Sequence, residues 1–84
     1  MNKVKVVNDC TITMYQAAGP GRNNPARYVV HSRRNGMMLG TLEHYRGAGM
    51  PWQASAADGS NRGSWYGRDG MRAAVAALSG TLDD

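Results

Sequence analysis

Apolar and polar residues alternate along the first part of the chain. In the segments VKVV and TITMY, apolar side chains recur at every second position, as at Ile12 and Met14. This period of two is typical of a β-strand with one buried face. Asn8 and Asp9, which lie between the two segments, suit a turn or a bulge. We therefore predict strand structure over about residues 3–16.

A loop and a β-hairpin follow. Residues 17–26 (AAGPGRNNPA) are rich in Gly, Pro and Asn, which is typical of a flexible surface loop. In the next segment, RYVVHSRRNGMMLGTLEHY, the pair Asn35-Gly36 is favoured in a two-residue type I′ turn, where both residues have positive φ. Such a turn places Val29 opposite Leu42. The hairpin strands would cover about residues 27–34 and 37–45.

This register divides the hairpin side chains into two faces, because side chains alternate along a strand. The more apolar face consists of Tyr28, Val30, Met37, Leu39, Thr41 and Tyr45. The other face, which mixes basic and apolar residues, consists of Arg27, Val29, His31, Arg33, Met38, Gly40, Leu42 and His44. The first face therefore has the composition expected of a core surface.

Two short strands are predicted after the hairpin. The segments WQASAA and SWYG indicate strands at about residues 52–57 and 64–66, and the second is short enough for an edge strand. The segment DGSNRG between them is rich in turn-forming residues. Trp52 and Trp65 belong to these strands, and we expect them to be core aromatics beneath a helix.

A helix is predicted near the carboxyl end, where the apolar period lengthens. Met71 and Leu78 fall on one helical face, and the alanines between them favour helix over about residues 70–79. Asp69 suits the N-cap position, since its side chain can accept hydrogen bonds from free amides. Residues 80–84 would form a tail.

These elements predict an α+β fold, with a three- to five-stranded antiparallel sheet and one C-terminal helix packed on one face. The 84 residues would form a single domain with a small core. The apolar stripe of the helix must be buried, and the sheet face with Tyr28 and Val30 is the surface that can bury it. The opposite face, with its arginines and histidines, would remain open.

Composition supports a folded chain inside the cell. Hydrophobic residues make up 42% and charged residues 19%, which favours a globule over a disordered chain. A single cysteine, Cys10, excludes an internal disulfide framework and is compatible with a reducing cytoplasm. The opening segment lacks the apolar run of a secretory signal, and no stretch is long and apolar enough to span a membrane. We therefore expect a cytoplasmic protein with no membrane partner.

No pattern of catalytic or metal-binding residues is present, so we do not expect an enzyme. Cys10, His31 and His44 occur without the local signature of a nucleophile and its base, and Cys10 is predicted to be a small buried side chain. The chain has no CxxC or HxxxH spacing for a metal ion. Its carboxylates are scattered, and GPG and GAG lack the spacing of a phosphate cradle. We predict neither a metal nor a cofactor.

Binding is the function class that remains, and arginine is the residue type that points to it. The formal net charge is +4, and the basic residues are eight arginines and two lysines. The planar guanidinium suits phosphates, guanine edges, carboxylates and protein hot spots alike, although many surface arginines are only solvated charges. The predicted partner-binding residues are Arg27, His31, Arg33, Arg34, Met38, Leu42, His44 and Arg46.

The order of elements from the hairpin through PWQASAADGS to GSWYGRDGMRAAVAAL resembles the build of AP2 and integrase amino-terminal DNA-binding domains. The resemblance covers roughly residues 27–79. Those families read DNA with the sheet face opposite the helix, which here implies Arg27, Arg33 and their neighbours on the strands. The chain departs from the pattern in its longer loop between the second and third strands, and in GRDG where a threonine-type cap is usual.

As a compact chain of 84 residues without a catalytic signature, the protein also resembles small accessory proteins of phages and mobile elements, including anti-CRISPR proteins. That resemblance implies occlusion of a host protein or ribonucleoprotein complex by a rigid patch with arginine and aromatic anchors. Sequence-tolerant DNA binding relies on dense phosphate neutralisation, whereas lysine is scarce here and the open face includes apolar side chains. We therefore expect a protein-directed inhibitor, with direct DNA or RNA binding as the alternative. Pairing of edge strands into a homodimer stays open.

Overall fold

The structure, a computed structural model, describes residues 4–20, 24–45 and 49–79. Within these residues the elements are β1 (Val4–Val7), β2 (Cys10–Gln16), β3 (Ala26–Ser32), β4 (Met38–His44), β5 (Trp52–Ala56), β6 (Asn61–Trp65) and α1 (Gly70–Ser79). Each strand pairs antiparallel with the next, and the strands lie in the sheet in chain order. The sheet is therefore an open meander with β1 and β6 at its edges.

The predicted α+β class is confirmed, since a C-terminal helix packs on an antiparallel sheet. The predicted number of three to five strands is wrong, because the predicted strand region near the amino end contains two strands. Asn8 and Asp9 have φ angles of 50° and 63° and connect Val7 directly to its partner Cys10. Two consecutive positive φ angles are the mark of a type I′ turn, whose twist matches a tight hairpin. The chain therefore reverses here, which adds a sixth strand.

The β3–β4 connection is longer than the predicted two-residue turn. It comprises residues 33–36, and the flanking residues are joined by a hydrogen bond from the Ser32 N–H to the Met37 C=O (2.9 Å). The Gly36 N–H also donates to the Ser32 C=O (2.9 Å). Gly36 has a φ of 73°, but Asn35 does not have a positive φ. The predicted type I′ turn at Asn35-Gly36 is therefore wrong.

The longer connection moves the pairing by two residues and a bulge in β4 restores one, so the register between β3 and β4 is shifted by one residue in total. Leu42 pairs with Tyr28, and not with Val29 as predicted. Leu39 is an extra residue in β4, where it forms a β-bulge. Because side chains alternate along a strand, a slip of one residue turns the strand over. Leu42 and His44 therefore lie on the helix side of the sheet, which corrects their predicted placement.

The core lies between the sheet and α1. Its fully buried members are Cys10, Ile12, Val30, Leu42, Ala54, Ala74 and Val75. Burial of each large aliphatic side chain in this set contributes about 1.5–3 kcal/mol. Trp52 and Trp65 pack half-buried against the same cluster, which confirms their prediction as core aromatics.

The sheet curls around α1. The helix contacts β4, β5 and β6 directly. At the other edge of the sheet, Asn8 Nδ2 in the β1–β2 turn donates a hydrogen bond to the Arg72 C=O (3.4 Å). Both edges of the sheet therefore approach the same helix.

Helix α1 begins directly after Asp69, whose C=O accepts a hydrogen bond from the Ala73 N–H (3.0 Å). Asp69 thus occupies the predicted N-cap position, and the helix matches the predicted range of 70–79. The predicted tail at 80–84 and residues 21–23 of the predicted flexible loop lie outside the described residues.

Gly40 marks the place where β4 comes closest to its neighbours. A Cβ atom at this position would overlap the Ser55 carbonyl oxygen and would lie 2.8 Å from Leu78 Cδ2. One of these two neighbours is backbone of β5, which cannot rotate away. The close packing of β4, β5 and α1 therefore depends on glycine at position 40.

We expect Gly40→Ala to lower the free energy of unfolding by about 2–3 kcal/mol, because the added methyl group overpacks the sheet and helix. Urea unfolding followed by circular dichroism measures this change. Gly36→Ala is the matched control: no atom lies within 4 Å of its Cβ position, and only its φ of 73° is unfavourable. That variant should lose about 1 kcal/mol. An equal loss in the two variants would contradict the packing argument.

Candidate binding surface

The side of the sheet turned away from α1, called the open face below, carries its side chains in three rows. Directly paired residues lie on the same side of a sheet, so cross-strand pairs define the rows. The rows are Val6–Thr11–His31–Met38, then Thr13–Val29–Thr41–Ser55–Asn61, and then Gln16–Arg27–Glu43–Gln53–Ser64. Together they extend over all six strands.

Within the described residues, no element packs over the open face. The contacts of α1 are with the other side of the sheet, where the fully buried residues lie. The side chains of the three rows are half-buried or exposed. This is the burial expected when only neighbouring strands, and no second layer, shield them. The open face is therefore accessible to a partner.

The structure places the predicted partner-binding residues at several different locations. Arg27, His31 and Met38 lie on the open face. Arg33 and Arg34 are exposed in the β3–β4 connection, at the end of that face. The remaining three predicted residues are Leu42, His44 and Arg46.

These three do not join the open face in the described structure. Leu42 has 0% exposure and belongs to the core, so its predicted placement on the open face is wrong. His44 lies on the helix side, stacked on Trp52. Arg46 lies outside the described residues. The one-residue shift in register accounts for the first two corrections.

Two of the predicted cations form ion pairs. Arg27 Nη1 lies 2.8 Å from Glu43 Oε2, across β3 and β4 on the open face. Arg34 Nε donates to Asp9 Oδ2 (3.0 Å), which links the β3–β4 connection to the β1–β2 turn. Such partly exposed pairs contribute about 0–1 kcal/mol each. The Arg27–Glu43 pair has a larger effect on the charge of the open face. The three rows contain one arginine and one glutamate, so their formal net charge is zero when histidine is counted as neutral.

Sequence reasoning did not single out the polar uncharged residues of the open face. These are Thr11, Thr13, Gln16, Thr41, Gln53, Ser55, Asn61 and Ser64. In β2 the signal was present, because Thr11 and Thr13 alternate with the buried Ile12. In β4 the signal was hidden, because the bulge at Leu39 breaks the alternation.

His44 lies in an aromatic cluster at the end of the sheet. Its ring stacks on Trp52 with 4.0 Å between the ring centroids and 3° between the ring planes. Tyr28 packs on the same tryptophan with its centroid at 5.3 Å. Burial in this cluster lowers the pKa of His44 below its ordinary value of 6.5, because desolvation disfavours the imidazolium. The neutral ring is therefore part of the packed structure.

Cys10 is a core residue, as predicted. It is 2% exposed, and burial raises the pKa of its thiol, with the charge of Asp9 as the second cause. His31 lies on the open face, whereas Cys10 lies among the core residues on the other side of the sheet. Cys10 and His31 are therefore separated by the sheet. The described residues contain no group of three or more His, Cys, Asp or Glu side chains that could hold a metal ion.

Comparisons with models of protein families, with curated proteins and with solved structures gave no significant match. The described residues include no helix of the length and hydrophobicity needed to cross a membrane.

We expect acidification to destabilise the protein through His44. A histidine whose folded pKa is lowered contributes stability above the unfolded pKa, and this is lost as pH falls from about 6.5 through the folded pKa. The melting temperature should therefore fall between pH 7.5 and 5.5, and less so in His44→Phe, which keeps an aromatic ring on Trp52. His31→Phe, on the open face and outside the aromatic cluster, is the matched histidine control. Equal pH dependence in wild type and His44→Phe would contradict the assignment.

We expect the Cys10 thiol to be unreactive in the folded protein, since burial keeps reagents away and the raised pKa reduces the thiolate fraction. Titration with a chromogenic disulfide reagent at pH 8 should be at least about a hundredfold slower than in denaturant. Reaction at the rate of an unfolded thiol, with circular dichroism unchanged, would show that the site is accessible.

Proposed function

We propose that this chain is a non-catalytic binding protein of the phage and mobile-element accessory type. In this proposal the open face docks on a host nucleic-acid-handling complex and occludes a surface of it, as an anti-CRISPR-like inhibitor would. The observation that carries the proposal is the chemistry of the open face, which combines apolar and uncharged polar side chains with an internally neutralised ion pair.

The extent of the open face fits a protein partner. Six strands at a spacing of about 4.8 Å span about 24 Å. A stable interface buries about 800 Å² on each partner, which corresponds to a patch about 28 Å on a side. The exposed β3–β4 connection, with Arg33, extends the surface at one end. A sheet held by hydrogen bonds across all strands is also rigid, so binding would cost little conformational entropy.

The composition of the open face also favours a protein partner. Val29 lies near its centre, and the exposed side chains of Val6 (57%) and Met38 (41%) lie at the two ends of the first row. Interface cores are depleted in charge and enriched in methionine and arginine. Uncharged hydroxyl and amide groups between these apolar residues can supply the hydrogen bonds that orient a partner.

The alternative is a DNA-binding module of the AP2 or integrase amino-terminal type that uses the same face. DNA affinity depends on cations that are free to neutralise phosphates. On the open face, Arg27 is held by Glu43 at 2.8 Å, and the described rows contain no second Lys or Arg. The ion pair therefore supports the protein-directed proposal over this alternative.

A pair of neighbouring methionines allows a matched test of the proposed surface. Met38 lies on the open face, whereas Met37 is 63% exposed and borders a depression next to Cys10 on the helix side. The complex captured from the native host is first identified, and its affinity for purified variants is then measured by interferometry. Met38→Asp should bind at least about tenfold more weakly, or about 1.4 kcal/mol, because it introduces a charge into a desolvated interface.

Met37→Asp should bind as the wild type does. Loss of binding in Met37→Asp with retention in Met38→Asp would move the interface to the helix side.

The variant Glu43→Gln tests the DNA-binding alternative, because it releases Arg27 from its ion pair. A DNA-reading face should then bind duplex more tightly at low salt, and no duplex binding by this variant would exclude the open face as a DNA-binding surface.

A further inference from the structure

A cleft between β1 and the start of α1 differs from the open face in charge. We call it the basic cleft, and it is lined by Lys5, Val7, Trp52, Arg68, Asp69, Met71 and Arg72 around a volume of about 260 Å³. Its charged residues are three cations and one carboxylate, which gives a net charge of +2. None of the three cations forms an ion pair with a described acidic residue. The basic cleft therefore carries a concentration of uncompensated positive charge.

The fold brings these cations together from distant parts of the sequence. Lys5 pairs with Ile12, a core residue, so it lies on the helix side of β1. The hydrogen bond from Asn8 to the Arg72 C=O ties this end of the sheet to the first turn of α1. Arg68 lies two residues before the helix and Arg72 lies in its first turn, and both line the cleft together with Lys5.

Three apolar residues also line the basic cleft. They are Val7, Trp52 and Met71, and the Trp52 ring stacks on His44 with 4.0 Å between the ring centroids. Because the three cations line one cleft without ion pairs to described acidic residues, a bound anion would attract all three. The cations repel one another when no anion is bound.

We infer that the basic cleft binds a phosphate group. A phosphate has enough oxygens to meet three cations at once, whereas a carboxylate has two. Guanidinium groups bind phosphate with two parallel hydrogen bonds, and the ammonium group of Lys5 adds a point charge from the opposite wall. The site uses residues other than those of the open face, so the inference goes beyond the proposed function and does not rest on it.

Titration with inorganic phosphate, against chloride at equal ionic strength, tests the site directly. Amide resonances of Lys5, Arg68 and Arg72 and the indole resonance of Trp52 should shift in a saturable manner in heteronuclear NMR spectra. Arg72→Gln should weaken binding by at least about tenfold, and it leaves the Asn8 hydrogen bond intact because that bond uses the backbone. Arg62→Gln, on β6 and outside the cleft, is the control and should bind as the wild type does.

The variant Asp69→Asn should increase the affinity for phosphate, a result that a damaged fold would not produce. Asparagine serves equally well at the N-cap, and the substitution removes the carboxylate of the basic cleft. Phosphate should therefore bind several-fold more tightly to this variant. The inference is overturned if no saturable shifts appear, if Arg62→Gln weakens binding as much as Arg72→Gln, or if Asp69→Asn leaves the affinity unchanged.

A second titration distinguishes an isolated phosphate group from the phosphodiester backbone of a nucleic acid. A single-stranded oligonucleotide that binds through the cleft should bind more tightly than inorganic phosphate, and Arg72→Gln should reduce its salt slope by about one. Equal affinities would assign the cleft to isolated phosphate groups. Oligonucleotide binding that is unchanged in Arg72→Gln would overturn the inference. Met38→Asp should leave all these affinities unchanged, so the two proposals can fail separately.

Discussion

The register between β3 and β4 is the constraint on which the rest of the structure depends. It places Leu42 opposite Tyr28, beneath α1, and leaves Thr41 and Glu43 on the open face. A shift of one residue would bury the Glu43 carboxylate without a partner and expose Leu42, which would cost several kcal/mol. The bulge at Leu39 makes the observed register possible, because it allows residues three positions apart to pack on the same core.

The same register determines how charge is distributed over the surface. Because β4 is turned over relative to its predicted orientation, Glu43 comes to lie beside Arg27 and neutralises it. The histidine of β4 moves into the aromatic cluster on the helix side. The open face thus loses the basic character expected from the sequence, and three cations without ion pairs among the described residues, Lys5, Arg68 and Arg72, lie together around the basic cleft. The single inserted residue Leu39 in β4 therefore decides whether the open face is basic, as predicted, or has no net charge, as observed.

Local patterns predicted some elements well because their causes are local. The lengthened period and the alanines located α1 at its observed bounds, and the tryptophans were recognised as core aromatics. The two turns were less predictable, since Asn35-Gly36 is compatible with more than one loop and Asn8-Asp9 with either a turn or a bulge. The three-residue spacing of Leu39 and Leu42 was the available clue to the bulge. Lys5 could not be associated with α1, because their proximity arises from the curl of the whole sheet.

The basic cleft and the open face depend on the same close packing of helix and sheet. At the start of α1, a Cβ atom on Gly70 would lie 2.8 Å from the Trp65 carbonyl oxygen and 2.9 Å from Trp52, so glycine allows the helix to begin against these residues. That position brings Arg68 and Arg72 beside β1, and no other described element covers the opposite side of the sheet. Because the two surfaces lie on different sides of the sheet, a partner on one would not cover the other. A nucleic-acid-handling complex offers both a protein surface and phosphate groups, and this arrangement would suit both.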